Sequence, residues 1–312
     1  MMRRVKTILG VMLIFMALVP AFGVSASASS TDETTSICET TPTVEVLGKQ
    51  VDPNAEILDL NGISLESVSQ VEEILPLFPN LKQVEMCQCG ISDEEMDALN
   101  KKYPDIKFVW EVEICLYFKV RTDITYFMPT QMNIGHGSGL DFSNLKYCPE
   151  IELIDLGHYR VEDLSFLNHL PKLKYLIICD GILTDITDIG NCTSLEYLEM
   201  FLNPLTDFAP LLNLTNLVDL NISYTPWTKK AGSGYVFTDE FGDVTPLYQM
   251  AWLDRLWMVK SQMEQAELDA LQEALPHTEF VLESYSSTDK GWRHSPHYFA
   301  GRDIVGGGYM TK

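Results

Sequence analysis

The 312-residue chain is 46% hydrophobic and carries 44 acidic against 22 basic residues, a formal net charge of −22. A field of that sign repels phosphate backbones and anionic bilayer surfaces and favours basic partners. Nucleic acid and the membrane surface are therefore excluded as partners.

The chain opens with Arg3, Arg4 and Lys6, followed by an apolar run from Ile8 to Val19 and the small residues Ala26-Ser27-Ala28. Basic start, apolar middle and small-residue end are the three zones of a secretory signal peptide. Residues 1–28 are expected to be removed after Ala28, with Ala26 as the neighbouring alternative, which deepens the net charge from −22 to −25. An uncleaved anchor is the competing reading. It has only the 18 residues from Thr7 to Val24, broken by Pro20, against about 20 for a spanning helix. The first cysteine, Cys38, lies too far on for lipid attachment. Residues 29–45 read as a disordered linker.

From residue 46 to 285 the chain is periodic. Ile151, Leu173, Leu195 and Leu217 are spaced by 22 residues, and so are Ile154, Leu176, Leu198 and Leu220, then Leu156, Ile178, Met200 and Ile222. A second motif fills the back half of each period: Asp141-Phe142, Asp163-Leu164, Asp185-Ile186 and Asp207-Phe208, each followed three residues later by Leu or Ile. A fifth copy, Asp243-Val244, comes 36 residues after Asp207, so 14 residues have been inserted. Alternation within each strand half sends its apolar residues inward, and stacked turns bury what one turn cannot. Each Asp stands where a short helical turn begins, so its carboxylate is expected to accept backbone N–H groups there. A calcium ladder is the alternative, but no second acid recurs beside these aspartates.

Longer turns flank this region. Leu81–Val109 and Leu253–Val281 align without gaps and share nine residues, among them Asp97-Ala98-Leu99 against Asp269-Ala270-Leu271. Ser92 and Glu95 have capping-box spacing, and Met96, Leu99 and Tyr103 follow on one helical face. Leu58 and Leu60 look like an earlier strand. Between Lys107 and Glu150 the register is weak. Phe108, Trp110 and Val112 alternate as in a strand, Gly135, Gly137 and Gly139 suggest a loop, and two degenerate turns fit the 22-residue step.

These copies resemble the internalin-type leucine-rich repeats of bacterial surface and secreted proteins, and the whole chain resembles secreted leucine-rich-repeat proteins of gut Firmicutes. The resemblance implies an α/β leucine-rich-repeat solenoid with a curved parallel β-sheet on the concave face and short turns or helices on the convex face. Residues 46–285 form it, with insertions at about 113–140 and 225–239, and residues 286–312 make an aromatic and histidine-containing tail.

By register, the solvent-facing strand positions are Leu153, Asp155 and Gly157; Tyr175, Ile177 and Cys179; Tyr197, Glu199 and Phe201; Asp219, Asn221 and Ser223; Arg255, Trp257 and Val259. Several are apolar or aromatic where a solvated sheet would be polar, as at protein interfaces. Tyr175, Ile177, Tyr197, Phe201 and Trp257, with Glu199 and Asp219 supplying charge, are the expected ligand-binding residues. Coverage of this face by the chain's own insertion or tail is the alternative. The insertion carries Trp227, Lys229, Lys230, Tyr235 and Phe237. The tail carries Trp292, Arg293, His294, His297, Tyr298, Phe299 and Arg302, and its expected fate is packing against the last turn. His294 and His297 have the spacing of a metal pair, but no matching cluster accompanies them.

The seven cysteines are an odd count, so one at least stays unpaired. Cys148 and Cys192 fall on core positions, Cys87 and Cys179 on outward ones where a thiol could react. A Cys89–Cys115 disulfide is one alternative for the remaining pair. No nucleophile elbow, zinc-protease helix or phosphate loop is present, Gly135-His136-Gly137-Ser138-Gly139 having the wrong order. The expectation is a secreted, non-catalytic, monomeric protein without cofactor or metal that binds a protein or peptide. A structural cell-envelope component is the second reading, an unrecognised hydrolase the third.

Overall fold

The computed structural model describes residues 42–306, apart from 116–117, 130–139, 182, 226, 231–233, 238–242, 262 and 285–290. The expected signal peptide, most of the expected linker, Cys38 and the glycines at 135, 137 and 139 lie outside the described residues. A hairpin pairing Val44–Val46 with Lys49–Val51 takes up the end of the stretch expected as linker.

The repeat forms a parallel ladder. Seven strands, Tyr126–Phe127, Leu153–Asp155, Tyr175–Ile177, Tyr197–Glu199, Asp219–Asn221, Arg255–Trp257 and Glu279–Val281, pair in chain order. Tyr175 lies opposite Leu153 on one side and Tyr197 on the other, Tyr197 opposite Asp219, and Asp219 opposite Arg255. The register thus follows the 22-residue step, and the single 36-residue step preserves it. Ile154, Leu176, Leu198, Leu220 and Leu256 form one inward column with no solvent exposure. This is a leucine-rich-repeat solenoid.

The chain returns behind the sheet through 3-10 turns at Ser143–Tyr147, Ser165–His169, Ile189–Asn191, Ala209–Asn213 and Thr245–Gln249. The recurrent aspartates set them up. Each accepts the backbone N–H two residues on, Ser143, Ser165, Thr187 and Ala209 at 2.8 Å and Thr245 at 2.9 Å. After the five strands from Leu153–Asp155 to Arg255–Trp257 the backbone passes through a left-handed residue, His158, Asp180, Leu202, Tyr224 and Lys260 in succession, which re-aims it towards the turn. Asn203 is fully buried. Its Nδ2 donates to the carbonyls of Ile178 at 2.8 Å and Met200 at 3.0 Å, and its Oδ1 accepts from Leu183 N–H. The preceding turn has Gly181 beside it, because any Cβ there would stand 2.7 Å from Asn203 Oδ1.

Helices replace the short turns near both ends, as the aligned flanks predict. Helices α1 (Ser69–Ile74) and α2 (Asp93–Lys102) precede the seven-stranded sheet, and α3 (Gln265–Ala274) joins its last two strands. The capping box of α2 forms, Ser92 and Glu95 each accepting from the other's backbone N–H. Two differences from expectation concern the weak register. First, Ile57–Asp59, Gln83–Glu85 and Lys107–Val109 make a separate three-stranded parallel sheet. Second, the stretch after it holds an antiparallel hairpin, Glu111–Ile114 with Phe118–Arg121, where two degenerate turns fitted the spacing. Trp110 and Val112 do alternate inward, but antiparallel pairing consumes the backbone bonds that would otherwise continue the ladder. The 14-residue insertion also contains a hairpin, Trp227–Lys230 with Gly234–Phe237.

Candidate functional site

Alternation puts every second strand residue on the sheet face opposite the core. Tyr175, Ile177, Tyr197, Glu199, Asp219, Trp257 and, just beyond its strand, Phe201 all stand on it. The ladder register brings the seven together, yet all seven are buried. Their expected exposure to solvent is corrected by the C-terminal segment, which lies across them.

That segment consists of a 3-10 turn, Trp292–His294, and helix α4 (Pro296–Ile304). Trp292 packs on Phe201 with ring centroids 4.6 Å apart. Tyr298 sits 6.1 Å from Tyr197, whose ring is in turn 6.1 Å from Tyr175. With Met128, Leu153, Cys179 and Trp257 these residues form a second apolar cluster, separate from the repeat core. Gly301 is the point of closest approach of α4: a Cβ there would meet Tyr175 Cδ1 at 3.0 Å and Leu153 Cδ1 at 3.3 Å. The segment was expected against the last turn. It instead reaches back to the strand at Leu153, because the unsatisfied apolar surface runs along the whole outward column.

A buried polar clamp fastens the segment. Asp219, with no solvent exposure, accepts from Trp257 Nε1 at 2.8 Å, from Arg255 Nη1 at 3.3 Å and from the Ser295 hydroxyl, and pairs with His297 Nδ1 at 3.2 Å. Ser295 caps α4 by accepting from the His297 N–H, and Arg255 Nη1 also donates to its oxygen at 3.1 Å. Arg255 is held from the other side by Glu279. The hydrogen bond to Asp219 raises the His297 pKa, against the opposing effect of burial. Serine, histidine and aspartate meet here, but both the hydroxyl and the imidazole are aimed at the carboxylate. A nucleophile requires its hydroxyl on the imidazole, so this is a clamp.

Beside the aromatic contacts the cover leaves a cavity of about 420 Å³, with Asp155, Gly157, Glu199 and Phe201 on the sheet side and Trp292, Arg293 and Tyr298 on the cover side. Glu199 is buried, and its Oε1 accepts from Tyr197 Oη at 2.8 Å. Desolvation pushes its pKa up to about 8, outweighing that hydrogen bond and the nearby charge of Arg293. Gly157 keeps the floor open, since a Cβ would lie 3.0 Å from Asp155 Oδ1 and 3.1 Å from Cys179 Sγ. Asp155 and Gly157 were read as outward positions from the sequence but not as site residues. Ser295, Gly301 and the contacts of Arg293 and Tyr298 with this face are not anticipated by the sequence. The available signal was the pairing of an apolar outward column with an aromatic tail.

The described cysteines are all free and all buried. Cys148 and Cys192 are core residues as expected, their thiols pushed up to about 12 by burial. Cys89 and Cys115 form no disulfide, and the Cys89 thiol donates to Leu60 O at 3.2 Å. Cys179 does stand on the outward face, as expected, but the reactive reading of Cys87 and Cys179 is corrected. Burial raises both thiols, and Cys179 lies under the C-terminal cover.

No family model matches the sequence, and no curated protein matches it. Solved structures do. The chain is similar to internalin C2 from Listeria monocytogenes str. 4b F2365, at 18% identity over 76% of this chain and 86% of that one, with a TM-score of 0.37. It is similar to the internalin inlF of the same strain at 20% identity over 70% of this chain and 65% of that one, TM-score 0.35. It is also similar to TLR13, solved as a TLR13–ssRNA13 complex, at 15% identity over 75% of this chain and 36% of that one, TM-score 0.33.

Proposed function

We propose that this chain is a secreted, non-catalytic binding protein that uses the outward face of its leucine-rich-repeat sheet to hold a segment of another protein or peptide. One observation carries the reading. The column formed by Tyr175, Ile177, Tyr197, Phe201 and Trp257 seats a short aromatic helix, and in this structure that helix is the chain's own α4. Glu199 and Asp219 add buried polar anchors, the second of them already used on Ser295 and His297. A partner from outside presents a similar helix and displaces α4, which acts as a built-in competitor. Export is supported by the pattern of residues 1–28, and among the described residues no helix is long and apolar enough to cross a membrane.

The test uses the full chain with Gly301→Leu, whose side chain collides with Tyr175 and Leu153 and unseats α4. A labelled peptide of residues 291–306 is titrated into the parent, the Gly301→Leu variant and the Gly301→Leu/Tyr197→Ala double variant. Saturable binding is expected only in the Gly301→Leu variant, with at least tenfold loss on removing the aromatic anchor, as for a hot-spot residue. Equal signals from all three proteins would overturn the proposal.

A further inference from the structure

The cavity beneath the cover has a lining with a chemistry of its own. Its volume of about 420 Å³ falls within the range of small-molecule pockets, about 300–1,000 Å³. Two carboxylic acids, Asp155 and Glu199, stand on the sheet side, and three aromatic rings, Phe201, Trp292 and Tyr298, share the enclosure. Phe201 and Trp292 pack against each other at a tilt of 49°, as aromatic pairs commonly do. Aromatic faces with a carboxylate at one end attract an organic cation twice, through the ring quadrupoles and through direct charge. We infer that this cavity is a binding site for a small organic ammonium ion, held by the Glu199 carboxylate and enclosed by Phe201, Trp292 and Tyr298.

The remaining charged groups fit that assignment. His158 on the rim is engaged with Asp180 at 2.8 Å. Arg293, contributed by the cover, is the cation the acids already face, and it lowers the Glu199 pKa without overcoming burial. Glu199 faces Tyr197, Asp155 and Asp219 from the sheet and Arg293 from the cover, with Tyr298 and Cys179 also on the wall. With its pKa raised to about 8, Glu199 is mostly protonated at neutral pH, so capturing the cation expels a proton. Binding therefore strengthens as pH rises towards 8, by about tenfold per unit well below that value and less steeply on approaching it. The net charge of −22 raises the local concentration of cations around the whole molecule, so specificity has to come from the cage.

The site needs the cover in place, since Trp292, Arg293 and Tyr298 supply one wall, and it is tested on the closed chain independently of whether an outside peptide can displace α4. Calorimetry on the full chain decides it, with choline as the cation, 3,3-dimethylbutan-1-ol as its uncharged isostere and acetate as the anion. Choline is expected to bind one to one, at least about tenfold tighter than the isostere, with proton release that makes the measured enthalpy depend on the buffer. Glu199→Gln keeps α4 docked, as protected α4 amides will show, and loses the preference for the cation. Phe201→Leu weakens binding several-fold while leaving the proton release intact. Equal affinity for choline and its isostere, an unchanged Glu199→Gln variant, or tighter binding of acetate would each overturn the assignment. Choline binding retained in Gly301→Leu, where the cover is unseated, would overturn its location while leaving the peptide-binding reading untouched.

Discussion

Asp219→Ala is the sharpest probe of how the cover is held. The carboxylate is fully buried and serves donors from two sources, Trp257 Nε1 and Arg255 Nη1 within the sheet and Ser295 and His297 on the cover. Removing it strands buried donors, each costing about 1–3 kcal/mol, and breaks a buried ion pair, for which about 3–5 kcal/mol is usual. Part of that loss stays within the sheet, because Trp257 loses its partner whether or not α4 is docked. The share belonging to the cover, Ser295 together with the partly buried His297, comes to about 2–3 kcal/mol. The local opening of α4 should then be about 30- to 150-fold more frequent. Native-state hydrogen exchange reads this at the amides of Phe299 and Val305, which bond to Ser295 O and Arg302 O. The reference is the Tyr197–Glu199 strand, whose exchange should change much less. Ser295→Ala removes one hydroxyl and the helix cap and should give a smaller effect in the same place, about 1 kcal/mol. Unaltered α4 exchange in Asp219→Ala, or an equal acceleration throughout the sheet, would refute the clamp.

Two further outcomes follow. Docking of α4 should be tightest in mildly acidic solution. His297 has a pKa raised above its ordinary 6.5 by the hydrogen bond to Asp219, with Asp254 adding and Arg255 opposing, so its contribution is complete below 6.5 and fades as pH rises through the raised value. Glu199, raised from 4.5 to about 8 by burial, acts in the same sense, and its penalty grows as pH climbs towards 8. Opening of α4, corrected for intrinsic exchange, should rise from about pH 4.5 towards 8 through Glu199, with His297 adding above 6.5, and should flatten in a Glu199→Gln/His297→Phe variant; a pH-independent parent would contradict this. Asn203→Ala should destabilise the whole solenoid by about 2–4 kcal/mol, because Ile178 O, Met200 O and Leu183 N–H lose a buried partner at once. Chemical denaturation measures it, and a change below about 0.5 kcal/mol would show that the neighbouring turns close over the gap.

The sequence declares the stack because its physics is local and repeated. Leu176 and Leu198 are inward for the same reason that Tyr175 and Tyr197 are outward, and a 22-residue step fixes which residue meets which across the ladder. The aspartates are equally legible, since each needs only a backbone N–H two residues away. The hairpin at Glu111–Arg121 is not, because antiparallel and parallel strands alternate alike and only long-range pairing separates them. The candidate site falls between these cases. Alternation identifies the outward residues but is silent on what covers them, and the covering contacts join residues 76 and 78 positions apart, Asp219 with Ser295 and with His297.

An outward column of Tyr175, Ile177, Tyr197, Phe201 and Trp257 nevertheless carries a constraint that an inward one does not. Inward residues are buried by the repeat itself, whereas outward aromatics stay buried only while something else occupies the face. Their presence therefore implies an occupant, and the tail rich in Trp292, Tyr298 and a helix-capping Ser295-Pro296 supplies one of matching chemistry. Purely structural coverage would favour apolar contact, or polar groups that are fully satisfied, as in the core, where the amide of the buried Asn203 finds its partners in Ile178 O, Met200 O and Leu183 N–H. Here Asp219, Glu199 and Asn221 are buried among the aromatics, and among the described residues Asn221 Nδ2 finds no hydrogen-bond partner. Leaving such a donor unsatisfied costs stability, which α4 does not recover. A face tuned only to α4 would satisfy that group or replace it with leucine, so its retention fits a surface shaped for a second occupant that does reach it. Replacing Asn221 with Leu should accordingly stabilise the closed form and weaken capture of any outside helix, and a destabilised closed form would show that the amide serves α4 after all.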